Sequence, residues 1–265
     1  MKQRLVFRAR FAVLLPVLLL GLGTFFSATV VQAAGGGAAL ESPLIDMGNQ
    51  RSLQRGAQLF VNYCMGCHTA SYHRYSRLAR DLGLSEKDVT ANLIFTTDKD
   101  GAPAKVGTQM VNAMSEDYGR DAFGVAPPNL ALTARSRGVD WIYTYLKSFY
   151  LDPSRTGVGV NNTVYPGAAM PHVLWELQGW QKPVYGDDGH GGQIVTGFEQ
   201  VTEGSMTPAE YDKSMADLTN FMAYLADPIK LQRHRVGFWV LLFLFVLLGI
   251  TYLLKKEYWK DVVYK

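Results

Sequence analysis

Cys64-Met65-Gly66-Cys67-His68 decides how this chain is to be understood, because it holds both of the cysteines found in 265 residues. On a helical turn, positions i and i+3 share a face, so the two thiols point the same way and the following imidazole can join them. C-x-x-C-H is the attachment signature of a c-type haem: two thioethers form to the porphyrin vinyl groups, and the histidine reaches the iron from the same side. A thioredoxin-like dithiol is the runner-up. Such a motif opens a helix after a strand, whereas this one closes a helix and is followed by histidine. Zinc would require two further ligands at suitable spacing, and there is no second cysteine pair.

Outward from the motif, Leu53, Ala57, Phe60 and Cys64 recur at spacings of 4, 3 and 4, which predicts an amphipathic helix over 51–64 that carries the first cysteine on its apolar face. Near the far end, Thr207-Pro208-Ala209-Glu210 supplies a capping-box pair with proline at the first helical position. Tyr211, Met215, Leu218, Met222 and Leu225 then keep helical spacing until Asp227-Pro228 stops the run. A third helix is expected from Asp140 to Tyr150, with Ile142, Leu146 and Phe149 on one face. Strand signals are weak throughout. The Gly/Pro-rich stretches 98–107 and 153–171 read as loops wrapped around something that organises them.

A six-coordinate haem needs a second axial ligand, for which Met and His are the usual donors. Met65 is excluded inside the attachment motif, Met215 and Met222 lie on an apolar helix face, and Met110 and Met114 form an i, i+4 pair in an expected helix. Met170 differs. It sits in the non-periodic stretch Tyr165-Pro166-Gly167-Ala168-Ala169-Met170-Pro171, with His172 as the competing donor two residues on. His73, His190 and His234 are expected to face solvent or an interface.

The ends set the compartment. Lys2, Arg4, Arg8 and Arg10 precede the apolar run Phe11 to Leu22, and small residues close the segment near Ala33, so residues 1–33 read as a secretory signal peptide. Val236 to Leu254 holds no charge over 19 residues, about 29 Å of helix, which predicts a transmembrane span. An exported domain over 34–232 followed by an anchor and short tail over 233–265 places the domain in the bacterial periplasm and the span in the inner membrane.

The chain carries a formal net charge of +3. Residues 34–232 nevertheless hold 16 basic against 21 acidic side chains, a net −5, and residues 183–227 hold eight acids against Lys213 alone. Nucleic acid is therefore an improbable partner and a basic protein a plausible one.

Taken together, Cys64 to His68, Ala126-Pro127-Pro128-Asn129-Leu130, the Gly167 to Pro171 methionine loop, Leu225-Ala226-Asp227-Pro228 and the single span opened by Arg233-His234-Arg235-Val236-Gly237 resemble cytochrome c1 of the proteobacterial cytochrome bc1 complex. The resemblance covers nearly all of the expected mature length. It implies a mainly α fold, a class I cytochrome c-like haem domain with long loops plus one C-terminal transmembrane helix. It also implies one covalent haem c ligated by His68 and Met170, with Arg120 approaching a haem propionate and Pro127 and Pro128 shaping the pocket wall on the His68 side. The implied role is quinol:cytochrome c oxidoreductase electron transfer, from a Rieske iron-sulfur protein to a c-type cytochrome, beside cytochrome b. Asn129 stands where relatives usually carry Asp, and the stretch from His172 to Met206 is distinctive. A free-standing membrane-tethered shuttle to a terminal oxidase is the alternative, and a haem gas sensor would need a vacant or labile sixth site.

Overall fold

The computed structural model describes residues 39–98, 100–187 and 192–262; the signal-peptide expectation and His190 lie outside the described residues. In chain order the elements are α1 (Gln50–Leu59), a π-helical turn (Phe60–Cys64), β1 (Ala70–Arg74), α2 (Tyr75–Leu82), α3 (Glu86–Asn92), β2 (Gln109–Met110), α4 (Glu116–Phe123), α5 (Thr133–Ser136), α6 (Val139–Lys147), β3 (Phe149–Leu151), β4 (Val160–Asn162), α7 (Trp175–Gln178), β5 (Gln181–Asp187), β6 (Gln193–Gln200), α8 (Pro208–Ala226) and α9 (Lys230–Tyr258).

The core is built where α1 crosses α8. Gly56 makes the crossing close: a Cβ there would stand 2.1 Å from the Asp217 carbonyl oxygen and 2.6 Å from the Phe221 Cβ. Leu53, Ala57 and Phe60 bury against Met215, Leu218, Phe221 and Met222, with the Phe60 and Phe221 rings 5.5 Å apart. Each fully buried large apolar side chain contributes roughly 1.5–3 kcal/mol. Register is fixed by Arg55, whose guanidinium donates two bonds, 2.6 and 2.9 Å, to the buried Asp217 carboxylate.

The α8 helix begins as its sequence dictates, with Thr207 and Glu210 forming a reciprocal capping box. At its other end the last carbonyls have no intrahelical donor. His73 supplies one, its Nε2–H donating to the Leu225 carbonyl at 2.6 Å. This corrects the solvent-facing expectation for His73, which is buried because it closes the helix end.

Two further expectations are corrected, and the stretch after His172 acquires a structure. The third helix ends at Lys147, and Phe149 opens β3, since Asn162 captures the Tyr145 carbonyl (2.8 Å) and Ser148 (3.1 Å) and turns the chain into the β3–β4 ribbon. Met110 lies in β2, paired antiparallel with Ala70 of β1, so Met110 and Met114 share no helix. The distinctive stretch after His172 holds α7 and the β5–β6 hairpin, where Gln181 pairs with Gln200. Strands went unread in the sequence because β1 to β4 are only two to five residues long, too short for an alternation to register, and the longer β5–β6 hairpin is largely exposed and lacks a buried face to impose one.

Residues 227–229 separate α8 from α9, and Asp227 accepts an ion pair from Arg233 at 2.6 Å. The 29 residues of α9 include the expected apolar run, none of them buried, and it is the one described helix long and apolar enough to cross a membrane.

Candidate functional site

The attachment motif is delivered by an irregularity in the first helix. From Phe60 to Cys64 the backbone widens to a π turn in which Met65 N–H donates to the Phe60 carbonyl at 3.0 Å. Single π turns inside α-helices recur at functional sites, because the extra residue re-aims the side chains that follow. The chain then tightens, with Cys67 and His68 N–H both donating to the Cys64 carbonyl at 3.1 and 2.8 Å. Met65 turns inward against Tyr75, as expected of a residue excluded from the iron.

Cys64, Cys67, His68, Pro127, Pro128 and Met170 all line one cavity of about 540 Å³. Its remaining wall is largely apolar and aromatic, with Trp141, Tyr145, Tyr165 and Met222 among the lining side chains. That size and polarity suit a large, flat, mostly apolar cofactor.

The Pro127-Pro128 segment is strapped to the residues just after the motif. Leu130 N–H donates to the Thr69 carbonyl at 2.8 Å, and the Asn129 amide donates to Ser71 Oγ at 2.6 Å while its oxygen accepts from Ala131 N–H. On the other flank, Gly119 of α4 lets Pro127 approach, since a Cβ there would stand 2.6 Å from the Pro127 Cδ. So held, the Pro128 carbonyl accepts a 2.8 Å bond from His68 Nδ1. The donation fixes the tautomer and leaves the Nε2 lone pair free for a metal. Burial holds the His68 imidazole below the ordinary histidine range, with the Pro128 bond working the other way.

Met170 reaches the same cavity from a loop tied down at its base. Arg155 donates to the Gly167 and Ala168 carbonyls at 3.1 and 2.7 Å, and Gly167 N–H donates to Asn161 at 2.8 Å. The Tyr145 hydroxyl donates to the Met170 sulfur at 3.4 Å. Burial, then the neighbouring Tyr165, pushes the Tyr145 hydroxyl above the usual phenol range, so it stays a donor.

The thiols are not poised as nucleophiles. Burial, with Cys67 beside it, pushes the Cys64 thiol up to about 12, and burial raises Cys67 as well. A redox dithiol needs a depressed thiol pKa, and here both are raised.

Arg120 requires correction. Its guanidinium is taken by Glu116 (2.7 Å) and Asp117 (2.8 Å) on its own helix, it is exposed, and it does not line the cavity. Two carboxylates in the first turn of α4 capture an arginine one turn on. Arg137 lines the cavity instead, its guanidinium 5.2 Å above the Trp141 ring, and sequence reasoning missed it. The available signal was the i, i+4 spacing of Arg137 and Trp141. His172 is also corrected: it is buried, stacked on Phe149 at 5.3 Å and edge-on to Trp180 at 5.7 Å, away from the cavity lining. Burial drives it down to about 4.

Comparison with known proteins adds the following. The model of the cytochrome C1 family matches residues 42–262. The chain is 50% identical over 237 residues to cytochrome c1 of Allochromatium vinosum, covering 88% of this chain and 94% of that protein. It is 46% identical over 233 residues to the ammonia monooxygenase gamma subunit of Nitrosomonas europaea, covering 88% and 93%. Against the mitochondrial cytochrome c1 haem protein of Neurospora crassa the identity is 26% over 229 residues, covering 80% and 62%.

Proposed function

The chain belongs to the cytochrome c1 family, whose members carry one covalently bound haem c as electron-transfer subunits of the bc1 complex, and on that premise we propose how its own residues hold that haem and where its electrons go. Cys64 and Cys67 would hold the haem through thioethers, and His68 and Met170 would hold its iron. The carrying observation is the single cavity onto which all four open, with the His68 tautomer set by Pro128.

When bound, the haem supplies one-electron redox chemistry. The protein contributes no acid, base or nucleophile. The Pro128 carbonyl orients His68 and strengthens it as a donor. Pro127 and Pro128 form a rigid wall with no free amide to compete for the iron. Arg137, rather than Arg120, would supply a cation to the haem carboxylates, a role supported by its place at the cavity and its position over Trp141. The apolar lining excludes water, which limits the reorganisation that accompanies electron transfer.

The electron arrives from a Rieske iron-sulfur protein and leaves to a c-type cytochrome, with cytochrome b as the membrane neighbour. Residues 1–33 are a cleaved signal peptide, 34–232 the periplasmic haem domain, and 233–265 the inner-membrane anchor and short tail. The net −5 of the domain favours a basic acceptor steered by charge. The short join supports a docked subunit over the free-standing shuttle: three residues and the Arg233–Asp227 ion pair lie between α8 and α9, where a shuttle needs a long flexible linker.

Solubilising membranes and isolating this chain tests the assignment. It is expected to travel with a b-type cytochrome and a Rieske protein, and to keep haem stain on a denaturing gel. Isolation alone, with full electron delivery to an oxidase, would establish the shuttle instead.

A further inference from the structure

The contact between Tyr145 and Met170 has no part in attaching the haem, yet it is built with care. Tyr145 lies in the last turn of α6, where Asn162 takes its carbonyl and bends the chain, and its ring is held on both sides: parallel to Trp141 at 5.0 Å and edge-on to Phe149 at 5.0 Å. Phe149 is itself buried and backed by His172. A ring clamped in this way presents its hydroxyl in one direction. That hydroxyl meets the Met170 sulfur at 3.4 Å, at the wall of the cavity that both residues line.

Methionine is otherwise a poorly determined ligand. Its three rotatable bonds leave the sulfur free to wander, and the loop ties at Gly167 and Ala168 fix the backbone without fixing the side chain. A thioether sulfur has two lone pairs, so one can serve a metal while the other accepts a hydrogen bond. Accepting that bond draws electron density from the sulfur, and a poorer donor favours the reduced over the oxidised metal.

We infer that Tyr145 is a positioning residue for the sixth ligand: its hydroxyl holds the Met170 sulfur toward the cavity and raises the redox potential of the haem. The inference rests on the proposed ligation by Met170. Nothing is consumed, since the bond is only held or released.

The experiment is Tyr145→Phe in the full-length haem-loaded protein, read beside Met170→Leu. Phenylalanine keeps the ring between Trp141 and Phe149, and covalent haem staining with the melting temperature checks the fold. The expected result is a lower midpoint potential, with imidazole binding to the oxidised protein several-fold faster than in the parent. A changed melting temperature with potential and imidazole rate untouched means a packing role only and overturns the inference. If Met170→Leu leaves the absorption spectrum and potential unaltered, Met170 is not a ligand and the underlying assignment falls with it. If Met170→Leu shifts both while Tyr145→Phe shifts neither, the tyrosine proposal alone is overturned.

Discussion

At the scale of single residues, the site depends on carbonyls and thioethers more than on charges. His68 is aimed by the Pro128 carbonyl, and Met170 by its tethered loop and a phenol. Under this assignment Met170→Leu should leave the haem attached, because both thioethers remain, while removing the sulfur that favours reduced iron. The midpoint potential is expected to fall and carbon monoxide to bind the reduced protein, both visible in redox-titrated absorption spectra. His73 governs a different property. Burial holds its imidazole below the ordinary histidine pKa, so the folded chain refuses a proton that the unfolded chain accepts. Its contribution is full above about pH 6.5 and is lost as pH falls below that value, at up to ~1.4 kcal/mol per unit. Chemical denaturation between pH 7 and 5 should show the decline, and His73→Gln, which can still donate to Leu225, should remove its share and leave that of the buried His172.

Among elements, the crossing of α1 over α8 is the contact on which the attachment motif hangs, since α1 runs straight through the π turn into Cys64. Gly56 is the point of nearest approach. Gly56→Ala should force the helices apart or strain them, costing roughly 1–3 kcal/mol by the usual penalty for overpacking. Thermal melts should drop by several degrees, whereas Gly197→Ala on β6, where a Cβ meets nothing within 4 Å, should melt like the parent. A Gly56→Ala protein as stable as the parent would mean that the crossing relaxes at no cost. The helical elements were legible because periodicity and caps are local: Thr207 to Glu210 names its own helix start. The end of α6 was not, because it is set by Asn162, fifteen residues further along, catching the carbonyl of Tyr145.

For the whole molecule, the apolar α9 and the acidic domain are separable chemistries joined by three residues. Ending the chain after Gln232 removes the apolar run from Val236 onward and should release a soluble haem protein after export. Centrifugation of a lysate at high speed checks it: haem-stained protein in the supernatant is expected, and retention in the pellet would point to the N-terminal segment as a second anchor.

What the sequence alone determined is whatever depends on neighbours along the chain. The thiol pair with its histidine, the capped α8 and the nineteen uncharged residues of the span all follow from spacing, because covalent geometry and helical pitch act over a few residues. Tertiary structure alone decided which distant groups meet. Arg120 and Arg137 are equally basic in sequence, yet Glu116 and Asp117 take the first and the cavity wall receives the second. His73 and His172 look like ordinary loop histidines until a helix end and an aromatic stack bury them. Tyr145 reads as one more helix-face aromatic until the fold brings Met170, twenty-five residues away, under its hydroxyl. Side-chain hydrogen bonds and packing join residues remote in sequence, and the order of residues along the chain carries no local trace of such pairs.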